Sequence, residues 1–292
     1  MRTALSSLAV VRPRSLAQAL RALAAPDGER PVPLAGGTDL LVYLNAGTHR
    51  GRRFLDLERL RELRGIRVGR PGVTIGALAT FREIRAHPVL RRRFPALVAA
   101  AAEVGALQIQ AQATLGGNIA NASPAGDSLP VLLAHDAVVL ARSRRGARAI
   151  PFADLYRGYR DLTLASDELI VAVRLPFPPA GAVPFFRKVG TRRAQSISKV
   201  VFCGLLHRDA RGRADHVRLA WGSVAPVTLR ARAAEAALLG KPPAAAAAAA
   251  VAALAGDLAP IDDIRSDRAY RSAVAANVLA QFLRAATPGR AR

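Results

Sequence analysis

The chain has 292 residues, of which 51% are hydrophobic, so it is long enough to bury a sizeable core and to form two or three lobes. Its formal net charge is +22, from 43 basic and 21 acidic residues. The basic residues are nearly all arginines spread along the chain, and no helix-turn-helix, RNA-binding or zinc-finger pattern accompanies them. The charge therefore favours an acidic protein partner over nucleic acid.

Cysteine and histidine usage argues against several kinds of site. The single cysteine, Cys203, excludes a disulfide framework within one chain and an iron–sulfur cluster of its own, which needs about four thiolates. The five histidines show no ligand spacing, so we expect no metal site. The longest weakly apolar run, 244–255, is too short to span a bilayer. We expect a soluble, cytoplasmic protein without a membrane span.

The first elements predict a strand, a glycine loop and a helix in succession. Residues 15–25 place leucines at helical spacing behind a serine N-cap, and residues 31–34 read as a short buried strand. The run P-L-A-G-G-T-D-L-L (33–41) follows, and a helix begins at Leu40. Adjacent glycines lack Cβ atoms, so their amide N–H groups can approach an anion such as a diphosphate closely.

A purely structural role for this glycine segment stays open. This glycine pair, and equally the pair at 116–117 further along the chain, is also typical of an ordinary tight turn. In that case Asp39 is a helix cap and Thr38 a turn hydroxyl.

Further along, a short strand is predicted at 54–57 and a hairpin at 66–75. Thr80 and Glu83 have the spacing of a capping box, which predicts a helix beginning just after Thr80. An alanine-rich helix is predicted from 95 to 104.

A second glycine pair lies in the run A-T-L-G-G-N-I-A-N-A-S-P-A-G-D (113–127). We predict a loop that exposes its backbone and delivers one carboxylate, Asp127, at the start of an apolar helix over 129–134. Two glycine segments can clamp one pyrophosphate from two sides.

The remaining elements divide the chain at a proline-rich stretch, 176–179. Before it, strands are predicted at 137–140 and 168–175, the latter with the alternation of an edge strand. Beyond it, strands are predicted at 184–189 and 217–221, and helices at 231–239, 244–255 and 268–283. We place one domain at 1–176 and a second at 177–292.

Four of these stretches resemble a known family. The runs 33–41, T-I-G-A (74–77), 113–127 and D-E-L-I (167–170) are similar to the FAD-binding subunit of the molybdenum hydroxylases. The resemblance extends in order from about Arg12 to about Leu206. It implies an α+β fold: a two-lobed FAD-binding domain of the p-cresol methylhydroxylase or vanillyl-alcohol oxidase type, with lobes at about 1–55 and 56–176. A C-terminal α/β domain of the carbon monoxide dehydrogenase flavoprotein type follows.

The resemblance also implies a set of cofactor contacts and no catalytic residue. One glycine segment would hold the FAD pyrophosphate from one side and the second from the other. A carboxylate would accept hydrogen bonds from polar groups of the cofactor, and two residues would lie near the flavin ring. The implied residues are Ala35, Gly36, Gly37, Thr38, Asp39, Val104, Thr114, Leu115, Gly116, Gly117, Asn118, Asp127, Ile170 and Lys188.

The chain departs from the family pattern at two places. Members commonly have an Arg-Asn-Arg-like run where this chain has Gln110-Ala111-Gln112, so a charged contact is missing there. They often have Asp-Ile-Ala where this chain has Ser196-Ile197-Ser198, which removes a carboxylate.

The implied function is electron transfer within a molybdenum hydroxylase complex. FAD takes electrons from the 2Fe-2S clusters of a small subunit and passes them to NAD or a quinone. A large molybdopterin subunit completes the complex, expected as a dimer of heterotrimers. The alternatives are a stand-alone FAD-dependent oxidase of the same superfamily and a flavin-free binding protein. An oxidase needs acid–base residues, yet no paired carboxylate or histidine constellation is present, and no G-x-G-x-x-G or P-loop motif occurs.

Overall fold

A small parallel sheet organises the N-terminal residues of the computed structural model, which describes residues 8–49, 51–192 and 195–287. The first seven residues of the predicted first domain, and the last five of the second, lie outside the described residues. The strand order is β1-β3-β2. The elements are β1 (Ala9–Val11), α1 (Leu16–Leu23), β2 (Val32–Leu34), α2 (Leu40–Asn45) and β3 (Arg53–Asp56).

Helix α1 begins where the sequence predicts. The Ser15 side chain accepts a hydrogen bond from the Gln18 amide and so caps the helix. Because the apolar residues recur every three or four positions, one face of α1 is buried. That face packs against leucines of β3 and of the segment that follows it, including Leu55 and Leu57.

A second, antiparallel sheet has the strand order β4-β5-β10-β6-β7. A separate two-stranded ribbon, β8 and β9, precedes the longest strand of this lobe. The strands are β4 (Ile66–Val68), β5 (Gly72–Gly76), β6 (Val138–Ser143), β7 (Gly146–Pro151), β8 (Tyr156–Gly158), β9 (Asp161–Leu162) and β10 (Leu169–Pro176).

Strand β10 corrects one expectation, because it is the central strand of this sheet and not an edge. It pairs with β5 on one side and with β6 on the other. Side chains on both of its faces are buried, and Arg174 and Pro176 at its end are exposed. The polar residues that suggested alternation lie at the strand ends, and the neighbouring strands come from distant parts of the chain.

Helices cover one face of this sheet. Thr80 and Glu83 form the predicted capping box, in which the Thr80 amide donates to Glu83 Oε2 at 2.7 Å and the Glu83 amide donates to Thr80 Oγ1 at 3.2 Å. Phe81 and Phe94 are fully buried in the core beneath. The helices are α3 (Phe81–Ala86), α4 (Pro88–Arg93), α5 (Pro95–Glu103), α6 (Leu107–Gln112), α7 (Leu115–Asn121) and α8 (Leu129–Ala134).

The C-terminal part packs helices on one antiparallel sheet of order β11-β12-β13-β14. Its core contains Phe202, Trp221 and Phe282, and the first two rings lie 4.2 Å apart between centroids. None of the helices in the described ranges has the length and apolarity to cross a membrane. The elements are β11 (Val183–Val189), β12 (Val200–Arg208), β13 (Ala214–Gly222), β14 (Leu229–Arg230), α9 (Arg232–Leu238), α10 (Pro243–Asp257) and α11 (Arg268–Ala285).

The two parts of the chain are joined closely beside the second glycine segment. Helix α8 packs on β12 and β13, and α5 packs on β11. The Ser223 amide donates to the Pro124 carbonyl oxygen at 2.9 Å. A Cβ on Gly222 would come within 3.0 Å of that oxygen, so glycine permits this approach. The end of the 113–127 segment is thereby held against the C-terminal sheet.

Candidate functional site

A cleft of about 1610 Å³ lies where the parallel sheet, the helices and the C-terminal sheet meet. All but one of the cofactor contacts that the family resemblance implies line this cleft, although they come from four separate parts of the sequence. The exception is Leu115, whose side chain is fully buried in the hydrophobic core. The lining residues of the implied set are Ala35, Gly36, Gly37, Thr38, Asp39, Val104, Thr114, Gly116, Gly117, Asn118, Asp127, Ile170 and Lys188.

The first glycine segment presents its backbone to the cleft. A Cβ on Gly36 would overlap the Gln112 carbonyl oxygen, so this glycine brings the two glycine segments into contact. Gly37 has φ +69°, which favours glycine. No hydrogen bond within the described residues uses the amide N–H groups of 36–40. These free donors, together with the glycines, fit the phosphate groups of a dinucleotide cofactor.

The second glycine segment differs from the predicted loop, because residues 115–121 fold into helix α7. Thr114 caps this helix by accepting a hydrogen bond from the Gly117 amide at 3.1 Å. The amides of Leu115 and Gly116 donate to the carbonyl oxygens of Ala79 and Ala77. The backbone donors at the start of α7 are therefore already occupied.

Gly116 permits tight packing of α7. A Cβ on this residue would come within 2.7 Å of the Ala77 side chain. This contact places α7 directly on the segment that precedes α3. The glycine-rich composition here serves packing between elements as well as access to the cleft.

Gly117 and Asn118 of α7 line the cleft beside the first glycine segment. The Gly117 amide is bonded to Thr114, so this glycine offers space for a ligand and not a donor. A Cβ on Gly117 would meet Thr114 Oγ1 at 2.9 Å and then Ala35 of the other glycine segment at 4.0 Å. It would thus project into the space between the two segments. The Asn118 side-chain oxygen accepts a hydrogen bond from Ser128 at 2.7 Å, which leaves its amide nitrogen to donate.

A buried ion pair joins Asp127 to the C-terminal sheet. Lys188 Nζ donates to Asp127 Oδ2 at 2.7 Å and to the Glu103 carbonyl oxygen at 2.9 Å. The Ser198 hydroxyl donates to the other carboxylate oxygen. Burial raises the pKa of Asp127, and Lys188 and Ser198 offset part of that rise.

A chain of polar contacts closes another part of the cleft. Asp39 precedes α2 but makes no capping hydrogen bond; its carboxylate accepts one from the Asn121 side chain at 3.2 Å. The Tyr43 hydroxyl donates to Asn121 Oδ1 at 3.1 Å and accepts from Arg160 at 2.9 Å. The cap interpretation of Asp39 is therefore wrong.

Sequence reasoning missed four residues that line this cleft or support Asp127. Asn121 was visible within the glycine-rich motif but had no assigned role. Tyr43, Arg160 and Ser198 carried no local signal for these contacts, because their partners lie 71 to 117 positions away in the sequence.

The apolar side of the cleft comes from Val104, which follows α5, and from Ile170 in β10. Val104 is half-buried and Ile170 is 5% exposed. A bulge in the pairing of β10 with β6 lies between Ile170 and Ala172. Such residues can shield a flat aromatic group from water.

The two departures from the family pattern have local explanations. Gln110 is buried, accepts a hydrogen bond from Arg85 and donates to the Ala102 carbonyl oxygen at 3.0 Å. It therefore supports packing between α3, α5 and α6. Ser196 lines the cleft, and its hydroxyl donates to the Arg192 carbonyl oxygen at 2.9 Å.

Two family models match the chain in succession. Residues 6–178 match the FAD binding domain in molybdopterin dehydrogenase. Residues 185–286 match the carbon monoxide dehydrogenase flavoprotein C-terminal domain. These matches confirm the predicted two-domain architecture, and FAD as the cofactor.

Relatives agree with the family models. The xanthine dehydrogenase FAD-binding subunit of Escherichia coli O157:H7 is 36% identical, over 77% of this chain and 76% of that protein. The carbon monoxide dehydrogenase medium chain of Hydrogenophaga pseudoflava is 30% identical, over 94% of this chain and 95% of that protein. A solved chain of that carbon monoxide dehydrogenase superimposes with a TM-score of 0.91 at 30% identity, covering 96% of each chain. The chain belongs to the FAD-binding subunits of the molybdenum hydroxylase family of oxidoreductases.

Proposed function

We propose that this chain holds FAD in the cleft and carries electrons from the 2Fe-2S clusters of a partner subunit to an external acceptor, NAD or a quinone. The single observation that carries the proposal is the convergence of both glycine segments and the Asp127–Lys188 pair on one cleft of about 1610 Å³. The bound flavin would supply the electron chemistry, and the protein would bind, orient and shield it.

Each part of the cleft has a distinct task in this proposal. The free amides of residues 36–40 donate to the FAD pyrophosphate, and Gly117 and Asn118 approach it from α7. Thr114 and Gly116 shape α7, and Leu115 supports it from the core. The wall of the cleft that faces α7 is completed by Ala35, Thr38 and Asp39.

The remaining residues act nearer the flavin ring. Asp127 accepts hydrogen bonds from polar groups of the cofactor, and Lys188 offsets part of the rise in the pKa of that carboxylate that burial causes. Val104 and Ile170 exclude water from the ring, which strengthens the electrostatic influence of the protein on it. In this proposal none of these residues exchanges a proton with a substrate, so none of them is assigned as a catalytic acid or base.

The partners follow from what relatives are called. They are named as medium chains and FAD-binding subunits, so each is one component of a larger enzyme. We propose that this chain likewise assembles with a small 2Fe-2S subunit and a large molybdopterin subunit, as a dimer of heterotrimers. Its formal charge of +22 favours an acidic partner surface, and such docking weakens as salt rises.

The competing function is a stand-alone FAD-dependent oxidase. Such an enzyme requires its own substrate site with acid–base groups beside the flavin. Within the described part of the cleft the carboxylates are Asp39, Asp127, Glu168 and Asp263, and each is bonded to a protein donor. This arrangement favours electron transfer over substrate oxidation.

The decisive experiment is co-expression with a small 2Fe-2S subunit and a large molybdopterin subunit from the same gene cluster. Flavin absorbance is followed after the substrate of the large subunit is added anaerobically. We expect rapid bleaching in the three-subunit complex and none when the small subunit is omitted. Substrate oxidation by this chain alone at an enzyme-like rate, or its failure to co-purify at low salt, would replace the proposal with the oxidase.

A further inference from the structure

Ser198 lies directly behind Asp127, at the end of the segment that joins β11 to β12. It is 2% exposed, and its hydroxyl donates to Asp127 Oδ1. Lys188 Nζ donates to Asp127 Oδ2 at 2.7 Å. The C-terminal part of the chain therefore supplies one donor to each oxygen of a carboxylate that belongs to the N-terminal part.

Counting acceptor sites shows what this arrangement leaves free. An ionised carboxylate offers about four lone-pair sites, two on each oxygen. Ser198 and Lys188 each occupy one. Lys188 is itself fixed by its second bond, to the Glu103 carbonyl oxygen at 2.9 Å. One site on each Asp127 oxygen thus remains for a group in the cleft, and the orientation of the carboxylate is already set.

We propose that Ser198 is a positioning residue for FAD, which fixes the Asp127 carboxylate so that it can accept hydrogen bonds from hydroxyl or N–H groups of the bound cofactor. The inference rests on the proposed function, since it requires FAD in this cleft.

The Ser198 hydroxyl also affects the pKa of Asp127, together with the charged groups around this carboxylate. The groups that face this carboxylate are Lys188 from β11, Ser198 before β12 and Glu103 at the end of α5. Burial and the Glu103 charge raise the pKa of Asp127, whereas Lys188 and Ser198 lower it. Loss of the Ser198 hydroxyl therefore raises this pKa further, and the carboxylate accepts a proton at a higher pH.

Ser198→Ala tests the inference on the purified full-length chain. FAD affinity is measured by fluorescence titration at a series of pH values. We expect roughly tenfold weaker binding near neutral pH, the scale of a hydrogen bond to a charged group. We also expect the loss of affinity on acidification to begin at a higher pH than in the wild type, because protonation removes an acceptor from Asp127.

Ser196→Ala is the matched control. Its hydroxyl lies two positions away and also lines the cleft, but it bonds to the Arg192 carbonyl oxygen and not to Asp127. The pH profile of FAD binding should not move in this variant. An equal shift in both variants would show a general loosening of the segment and would overturn the inference.

A double-mutant cycle with Asp127→Asn separates positioning from packing. If Ser198 acts through the Asp127 carboxylate, Ser198→Ala should cost little further FAD affinity in the Asn background. The inference is overturned if the losses of FAD affinity in the two single variants add fully in the double variant. It is also overturned if Ser198→Ala alone keeps the wild-type affinity and pH profile. If Asp127→Asn does not fold, the pH profile of Ser198→Ala decides. Absence of FAD binding by the wild type would instead contradict the proposed function.

Discussion

At the level of single residues, the four glycines of the two glycine pairs have four different roles. Gly36 allows one backbone to touch another, and Gly37 adopts a left-handed conformation. Gly116 packs against Ala77, and Gly117 faces the space between the two segments. The sequence predicts that glycine matters at all four positions. It cannot distinguish the roles, because each depends on an atom from a distant segment.

Gly117→Val should weaken FAD binding by at least about tenfold, since the branched side chain would enter the space proposed for the pyrophosphate. The new Cβ would also press on the Thr114 cap at 2.9 Å, so we expect a stability loss of about 1 kcal/mol. FAD titration and urea denaturation measure the two effects. Gly256→Val in α10, where a Cβ meets open space, is the control. Unchanged FAD affinity in Gly117→Val would make this glycine a structural one only.

His135 gives the fold a predictable dependence on pH. The ring is 3% exposed, and neither nitrogen has a hydrogen-bond partner among the described residues. Burial lowers the pKa of His135 to about 4. An unfolded histidine titrates near 6.5, so the unfolded state binds more protons between these values. The titration of His135 therefore leaves the free energy of unfolding unchanged above pH 6.5. As the pH drops toward 4, it lowers the free energy of unfolding by up to roughly 3 kcal/mol.

His135→Leu should remove that part of the pH dependence. Unfolding by urea at several pH values between 4 and 7 provides the measurement. Phe94→Leu is the control, because Phe94 contacts the His135 ring at 5.1 Å between centroids but does not titrate. It should lower stability about equally at every pH. An unchanged slope in His135→Leu would mean that the ring is protonated or solvated in the folded state.

At the level of elements, the sequence predicted the helix starts that are determined by residues close together in the chain. The Ser15 cap, the Thr80–Glu83 capping box and the apolar helix over 129–134 all lie where the sequence predicts them. Helix α7 and the central position of β10 were missed. Both depend on distant contacts: α7 on Ala77, and β10 on two strands that are far apart in sequence.

The capping box of α3 allows a test at this scale. Thr80→Ala removes the acceptor for the Glu83 amide and should lower the free energy of unfolding by about 0.5–2 kcal/mol. Urea denaturation gives the value. The adjacent Arg82→Ala, at an exposed position of the same helix, should change stability far less. Equal losses in the two variants would mean that the capping box contributes little to stability.

At the level of the whole molecule, the site exists only where distant segments meet. Asp127 and Lys188 are separated by 61 positions and belong to different parts of the chain. Composition and periodicity could not bring them together, whereas the family resemblance placed both beside the cofactor. The structure adds Ser198 to that pair and connects Asp39 to Asn121. The resemblance had assigned no role to either partner residue.

The central claim is that this cleft binds FAD through its two glycine segments. The most direct measurement is a titration of the purified, flavin-depleted chain with FAD and, separately, with FMN, which lacks the pyrophosphate and the adenosine. We expect one FAD per chain and binding of FMN weaker by at least about 100-fold, because FMN offers the free amides of residues 36–40 one phosphate and lacks the second phosphate and the adenosine. Equal affinity for FAD and FMN, or no saturable binding of FAD, would contradict the account.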